Sequence, residues 1–167
     1  MNKQITPWAI QVLTRDYFVE CNIIPDDNID ILLMGDYGYY KDRCILTFNN
    51  AQIHPVNNPN GPVISASKFV VKQRSGLIAL IPLDDAGIQG FQKNAQNKDF
   101  SMRTVLYAGS YIIRASTNPQ GPYESGAPFV HAIGAKIEFQ FQNSNIKPLE
   151  ARWLVINTEM VQGYHPE

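Results

Sequence analysis

Three histidines, one acidic cluster and one Ser-x-x-Lys string are the places where this sequence could do chemistry. His54, His131 and His165 are isolated, with no second His or Cys three or four residues away. That spacing is what a helix turn or a knuckle needs to bring two ligands to one metal. A general base among them would need an acid and a nucleophile supplied by the fold, so all three are read as surface or hydrogen-bonded residues. Asp26-Asp27-Asn28-Ile29-Asp30 places oxygen ligands at the first, third and fifth positions, as a calcium loop does. Ile31 then stands where Gly is required and Tyr37 where Glu should close the loop, which excludes an EF-hand and leaves a solvated acidic loop. Ser65-Ala66-Ser67-Lys68 fits an acyl-transfer pattern that works at a helix start. Here it enters a β-branched stretch, where Ser65 and Lys68 face opposite sides. No phosphate-cradling loop, nucleophile elbow or dinucleotide fingerprint is present. The sequence therefore reads as that of a non-enzyme, with no cofactor and no metal.

One segment has the composition of a contact surface. In Asp36-Tyr37-Gly38-Tyr39-Tyr40-Lys41-Asp42-Arg43, three tyrosines stand beside two cations. Tyr37, Tyr39, Tyr40, Lys41 and Arg43 could stack on a base, a sugar or a peptide. The plainer reading is a hairpin tip whose rings pack on the protein body.

The bulk composition limits the partners. With 14 Lys plus Arg against 15 Asp plus Glu, the net charge is −1. Duplex nucleic acid is bound through counterion release by basic proteins, so the global charge argues against a nucleic-acid partner. The apolar fraction of 44% supports a packed core in 167 residues, enough for one ordinary domain or two very small ones. No apolar segment approaches membrane-spanning length, no signal-peptide pattern opens the chain, and two cysteines are too few for a disulfide scaffold. A cytoplasmic, membrane-free protein with reduced thiols is expected.

The elements that would position these residues are strands. Ala135 to Gln142 alternates apolar and polar side chains without a break, the pattern of a half-buried strand, and Tyr17 to Ile23 does so in part. Leu77 to Ile81 and Trp153 to Ile156 are continuous apolar runs, as strands covered on both faces require. Asn57 to Pro62 and Thr117 to Pro128 carry the residues of long loops, and Arg15-Asp16 and Gly109-Ser110 those of tight hairpin turns. Leu83 to Arg103 reads as a polar linker in which Asp84-Asp85 could cap a short helix, although Gly87 and Gly90 weaken it.

The strand pattern occurs twice. Ile45–Pro82 superposes on Phe129–Pro166 without gaps at an offset of 84 residues, so that Ala51 falls on Ala135, Ile53 on Ile137 and Pro82 on Pro166. In the same superposition Lys68-Phe69-Val70-Val71 falls on Arg152-Trp153-Leu154-Val155. Upstream, Val12 to Ile23 falls on Leu106 to Thr117 at an offset of 94, a loop near Asp26 to Arg43 being about ten residues longer in the first copy. Such repeats let small units bury their apolar faces on each other.

Thr14 to Ile23, Ile45-Leu46-Thr47 through Ala51-Gln52-Ile53, Phe69-Val70-Val71 and the second-copy Trp153 to Asn157 resemble a family of small bacterial β-domains that has no assigned activity. The order of elements is similar to the Sm-like, SH3-type small barrel, in which a short turn such as Arg74-Ser75-Gly76 or Asn157-Thr158-Glu159 precedes the closing strand. The signatures by which Sm-like proteins hold RNA are not visible.

The expected architecture is all-β: two similar small antiparallel β-barrel or β-roll units, related by internal duplication, packed together with little helix. Residues 1–82 form the first unit, 83–103 the linker and 104–167 the second unit. The expected role is that of a non-catalytic structural or protein-interaction protein that binds a protein partner or itself, as a homodimer. The alternatives are a ligand- or single-stranded nucleic-acid-binding module using the tyrosine loop, and an enzyme with a site between the units.

Overall fold

The computed structural model describes residues 4–35, 45–58, 60–96, 98–120, 126–140 and 147–167. Five strands form in the first half, β1 (Trp8–Thr14), β2 (Tyr17–Ile23), β3 (Ile45–Pro55), β4 (Ile64–Lys72) and β5 (Leu77–Pro82), with helix α1 (Asp27–Leu33) between β2 and β3. Helix α2 (Asp85–Asn94) leads to the second half, β6 (Met102–Ala108), β7 (Tyr111–Thr117), β8 (Phe129–Phe139), β9 (Leu149–Asn157) and β10 (Val161–Pro166). A 3-10 turn at Thr158–Met160 precedes β10. No helix among the described residues is long and apolar enough to cross a membrane.

The ten strands of the described residues belong to one antiparallel sheet in the order β10-β6-β7-β8-β9-β5-β1-β2-β3-β4. Two small barrel or roll units packed together were expected; a single continuous sheet is found. It is open, because no ladder among the described residues joins β4 to β10. Each half runs fifth, first, second, third, fourth strand, and the halves meet where β9 pairs with β5 through Ala79↔Ile156 and Leu80↔Val155.

The ladders of the two halves coincide in register. Ile10↔Pro82 in β1–β5 corresponds to Thr104↔Pro166 in β6–β10, and both ladders slip at the same place, before Thr14↔Leu77 and before Ala108↔Val161. Tyr17↔Pro55 corresponds to Tyr111↔Phe139, and both ladders again slip at equivalent points, between Glu20 and Asn22 and between Arg114 and Ser116. Asn50 and Gly134, at matching positions, both hold positive φ angles, 52° and 60°. The left-handed backbone there turns Ala51 and Ala135 into their cores. One detail departs from the gapless superposition. Ala51 pairs with Ala66 and Ala135 with Ala151, so Lys68-Phe69-Val70-Val71 corresponds to Trp153-Leu154-Val155-Ile156. The connection between β8 and β9 is one residue longer than that between β3 and β4.

Two apolar clusters fill the molecule. The first joins Val12, Val19, Phe48, Val71 and both helices; the second joins Leu106, Tyr111, Ile113, Ile137 and Val161. The strands at the junction feed both. β5 sends Leu77 and Leu80 to the first cluster and Ile78, Ala79 and Ile81 to the second; β9 sends Trp153 and Val155 to the first and Ala151, Leu154 and Ile156 to the second. That is why these two segments lack polar alternation.

The acidic stretch expected to be a solvated loop instead begins α1. Asp26 is its N-cap, accepting from the backbone N–H groups of Asn28 and Ile29, while Ile29, Leu32 and Leu33 are buried. The linker contains the helix that Asp84 was expected to cap. Its carboxylate accepts from Gly87 N–H at 2.8 Å and, with the other oxygen, from Ala9 N–H of β1 at 2.8 Å. Ile88 and Phe91 of α2 are buried, Phe91 edge-on to Trp8 with ring centroids 6.2 Å apart.

Candidate functional site

The five residues expected to make ligand or partner contacts, Tyr37, Tyr39, Tyr40, Lys41 and Arg43, lie outside the described residues, as does Cys44. The other candidates are widely separated. His54 stacks on Phe18 with centroids 4.4 Å apart, and its Nε2 is 3.7 Å from Glu20, beyond hydrogen-bond reach. His165 meets the Tyr107 hydroxyl at 3.2 Å on the far edge of the sheet. His131 lies at the junction of the halves, with both ring nitrogens engaged. Nδ1 accepts from Trp153 Nε1 at 2.8 Å and Nε2 faces the Leu33 carbonyl at 2.6 Å. Since the indole only donates, the ring hydrogen is assigned to Nε2 and bonds the α1 carbonyl. Burial holds this imidazole below its ordinary value, against the upward pull of the Leu33 carbonyl. Occupied at both nitrogens, it is a fastener between β8 and α1.

Ser65 donates to Gln52 Oε1 at 2.9 Å, a cross-strand bond with no base beside it. The Cys21 thiol is buried against the Ile10 carbonyl, and burial, helped by Glu20, pushes its pKa up to about 12, so it is a poor nucleophile. Among the described residues no group of three His, Cys, Asp or Glu side chains is placed to hold a metal.

Both halves contribute to one polar cleft of about 540 Å³. Arg15, Asp16 and Asn57 line one side, and Ser110, Glu159 and Gln162 the other. The β1–β2 and β6–β7 turns meet here, where Ser110 Oγ donates to the Arg15 carbonyl at 3.1 Å and Tyr111 donates to the Tyr17 carbonyl at 2.9 Å. The Tyr111 phenol is raised well above its ordinary range, first by burial and then by Asp16. No histidine lines the cleft, and the Ser110 hydroxyl is committed to a carbonyl. Its chemistry is that of a hydrogen-bonding recess.

The junction itself carries a buried polar cluster. The Asn157 amide nitrogen, fully buried, lies 2.9–3.0 Å from the carbonyls of Gln73, Arg74 and Leu77, so the second half satisfies the first half's β4–β5 turn. Arg74–Glu159 and Arg152–Asp85 bridge the same junction, both at 2.9 Å and both well exposed, where such pairs add little.

The edges of the sheet contrast with its junction. Ile45, Val63, Ile64 and Val70, at or beside the β4 edge, are among the large apolar residues left exposed. Long edge strands with apolar side chains are surfaces for adding another strand. The sequence does not single out this edge, because the exposed face of β4 carries Val70 between Lys68 and Lys72. Comparison with family models, with curated proteins and with solved structures finds no match to this chain.

Proposed function

We propose that this protein is a non-catalytic structural or interaction protein, built by internal duplication of one five-stranded β-unit of the small-barrel kind and acting through the open edges of its sheet. The units are residues 1–82 and 104–167, with 83–103 serving as a connection that also supplies α2. Three features support the duplication: the shared strand order, the coincident slips in register, and the paired positive-φ bulges at Asn50 and Gly134. The short turns before β5 and β10 support the likeness to a small barrel. The partner is a protein strand, from another protein or from a second copy. A cytoplasmic setting suits the buried Cys21 thiol.

The observation that carries the reading is the combination of an open β4 edge, on which Ile64 and Val70 are exposed, with a molecule whose titratable groups are dispersed or already bonded. Light scattering across a concentration series tests self-association, with a mass above the 18.8 kDa of one chain as the expected result. A constant single-chain mass, together with salt-sensitive binding to single-stranded oligonucleotides, would replace this reading with that of a nucleic-acid module. The polar cleft supports one other role, the binding of a small polar ligand between the halves. Chemical-shift changes confined to Arg15, Asp16 and Ser110 on ligand addition would identify it.

A further inference from the structure

The molecule contains a worked example of how its own edges can be joined. At its centre a fourth strand, β9, lies antiparallel to a fifth strand, β5. The two strands left at the ends of the sheet are the equivalents of that pair: β4 is the fourth strand of the first half and β10 the fifth of the second. From the ladder equivalences, Ile156 and Val155 correspond to Val71 and Val70, while Ala79 and Leu80 correspond to Gly163 and Tyr164.

We propose that the β4 edge of one chain pairs with the β10 edge of the next in the register of the internal β5–β9 junction, Val71 opposite Gly163 and Val70 opposite Tyr164, giving a head-to-tail assembly of identical chains. This rests on the reading of the protein as a self-associating interaction protein and specifies its interface.

Two details of the edges favour this geometry over any other strand addition. Val155 is 1% exposed inside the junction, whereas its counterpart Val70 is 47% exposed on the edge, so an apolar side chain of the same type awaits the same cover. At the crossing point the fifth strands both carry a small residue. Ala79 is completely buried between the halves, and a Cβ added at Gly163 would meet nothing within 4 Å. The space at Gly163 is thus empty in one chain where the equivalent space in the junction is filled by β9. A contact that joins two different edges is heterologous, so every chain offers both a donor and an acceptor edge.

Two substitutions separate this arrangement from others, each at a position that the single chain tolerates: Val70→Glu and Gly163→Glu, with circular dichroism verifying the fold. The wild-type chain is expected to scatter as an oligomer, and each variant alone as one chain of 18.8 kDa. Mixed in equal amounts, the variants should form a species of twice that mass, because one keeps an intact β10 and the other an intact β4. If Gly163→Glu assembles normally while Val70→Glu does not, β4 pairs with itself; that result overturns the head-to-tail inference but keeps the self-association reading. Normal assembly of both variants, or single-chain variants that remain so on mixing, also overturns the inference alone. A wild-type chain that is monomeric at every concentration overturns both.

Discussion

His131 illustrates how a residue chosen for its chemistry can serve the fold. From the sequence it is an isolated imidazole, read as a surface or hydrogen-bonded residue. In the structure its neutral form is required on both sides, since Nδ1 accepts the Trp153 indole hydrogen and Nε2 donates to Leu33. Protonation would place a second hydrogen against the indole N–H and a charge in a buried site. Because the folded-state pKa is lowered from 6.5, the stabilisation is complete above about pH 6.5 and is lost as the solution is acidified below that. The unfolded chain then binds a proton that the folded chain refuses, a loss of at most about 1.4 kcal/mol per pH unit for one group. Urea unfolding of wild type and of His131→Gln between pH 7.5 and pH 5 checks this. The glutamine can replace both hydrogen bonds but does not titrate, so its stability should fall less steeply; parallel curves would remove His131 as the cause. Neither bond was legible beforehand, since Trp153 reaches His131 only through the register of β9 on β8, and Leu33 only through the meeting of the halves.

At the scale of the elements, legibility followed the two-residue period. Strands with one wet face, such as Ala135 to Phe139, declared themselves, and the unbroken apolar runs of β5 and β9 were correctly taken as covered on both sides. Helix α1 was missed although its signals were present, an Asp26 cap followed by apolar residues at Ile29, Leu32 and Leu33. The same run carries carboxylates at the spacing of a cation loop, so two patterns overlap in one stretch. Helix α2 was weakened on paper by its glycines, and the structure supplies the reason for one of them. A methyl group on Gly90 would overlap two carbons, Cζ2 and Cη2, of the Trp8 six-membered ring, which lies against this helix. In an exposed helix Gly→Ala gains close to 1 kcal/mol. Here Gly90→Ala should instead destabilise the protein, by about 1–2 kcal/mol, because overpacking costs about 1–3 kcal/mol. Gln89→Ala, one residue away and exposed, should stay within about 0.5 kcal/mol of wild type. Denaturation midpoints of the two variants decide it, and a stabilised Gly90→Ala would mean that Trp8 is not held against α2.

For the molecule as a whole, the single sheet was not legible in the sequence, because the pairing of β9 with β5 joins strands some seventy residues apart that share no local signal. That pairing makes the halves interdependent. Ile78, Ala79 and Ile81 of β5 complete the second core, and Trp153 and Val155 of β9 complete the first. Full burial of a large apolar side chain contributes about 1.5–3 kcal/mol, so parting the halves would forfeit on the order of 10 kcal/mol, as much as the whole stability of a typical domain. The two cores should therefore unfold as one. Leu154→Ala provides the test, since Leu154 is fully buried and belongs to the second core alone. Truncation there should cost about 3 kcal/mol. In native-state hydrogen exchange the slowest amides of β3, near Phe48, should lose as much protection as those of β7, near Ile113, because both report the same global opening. If β7 weakened while β3 kept its wild-type protection, the halves would be independent domains that merely touch, and the junction would lose its standing as the pattern for joining one chain to the next.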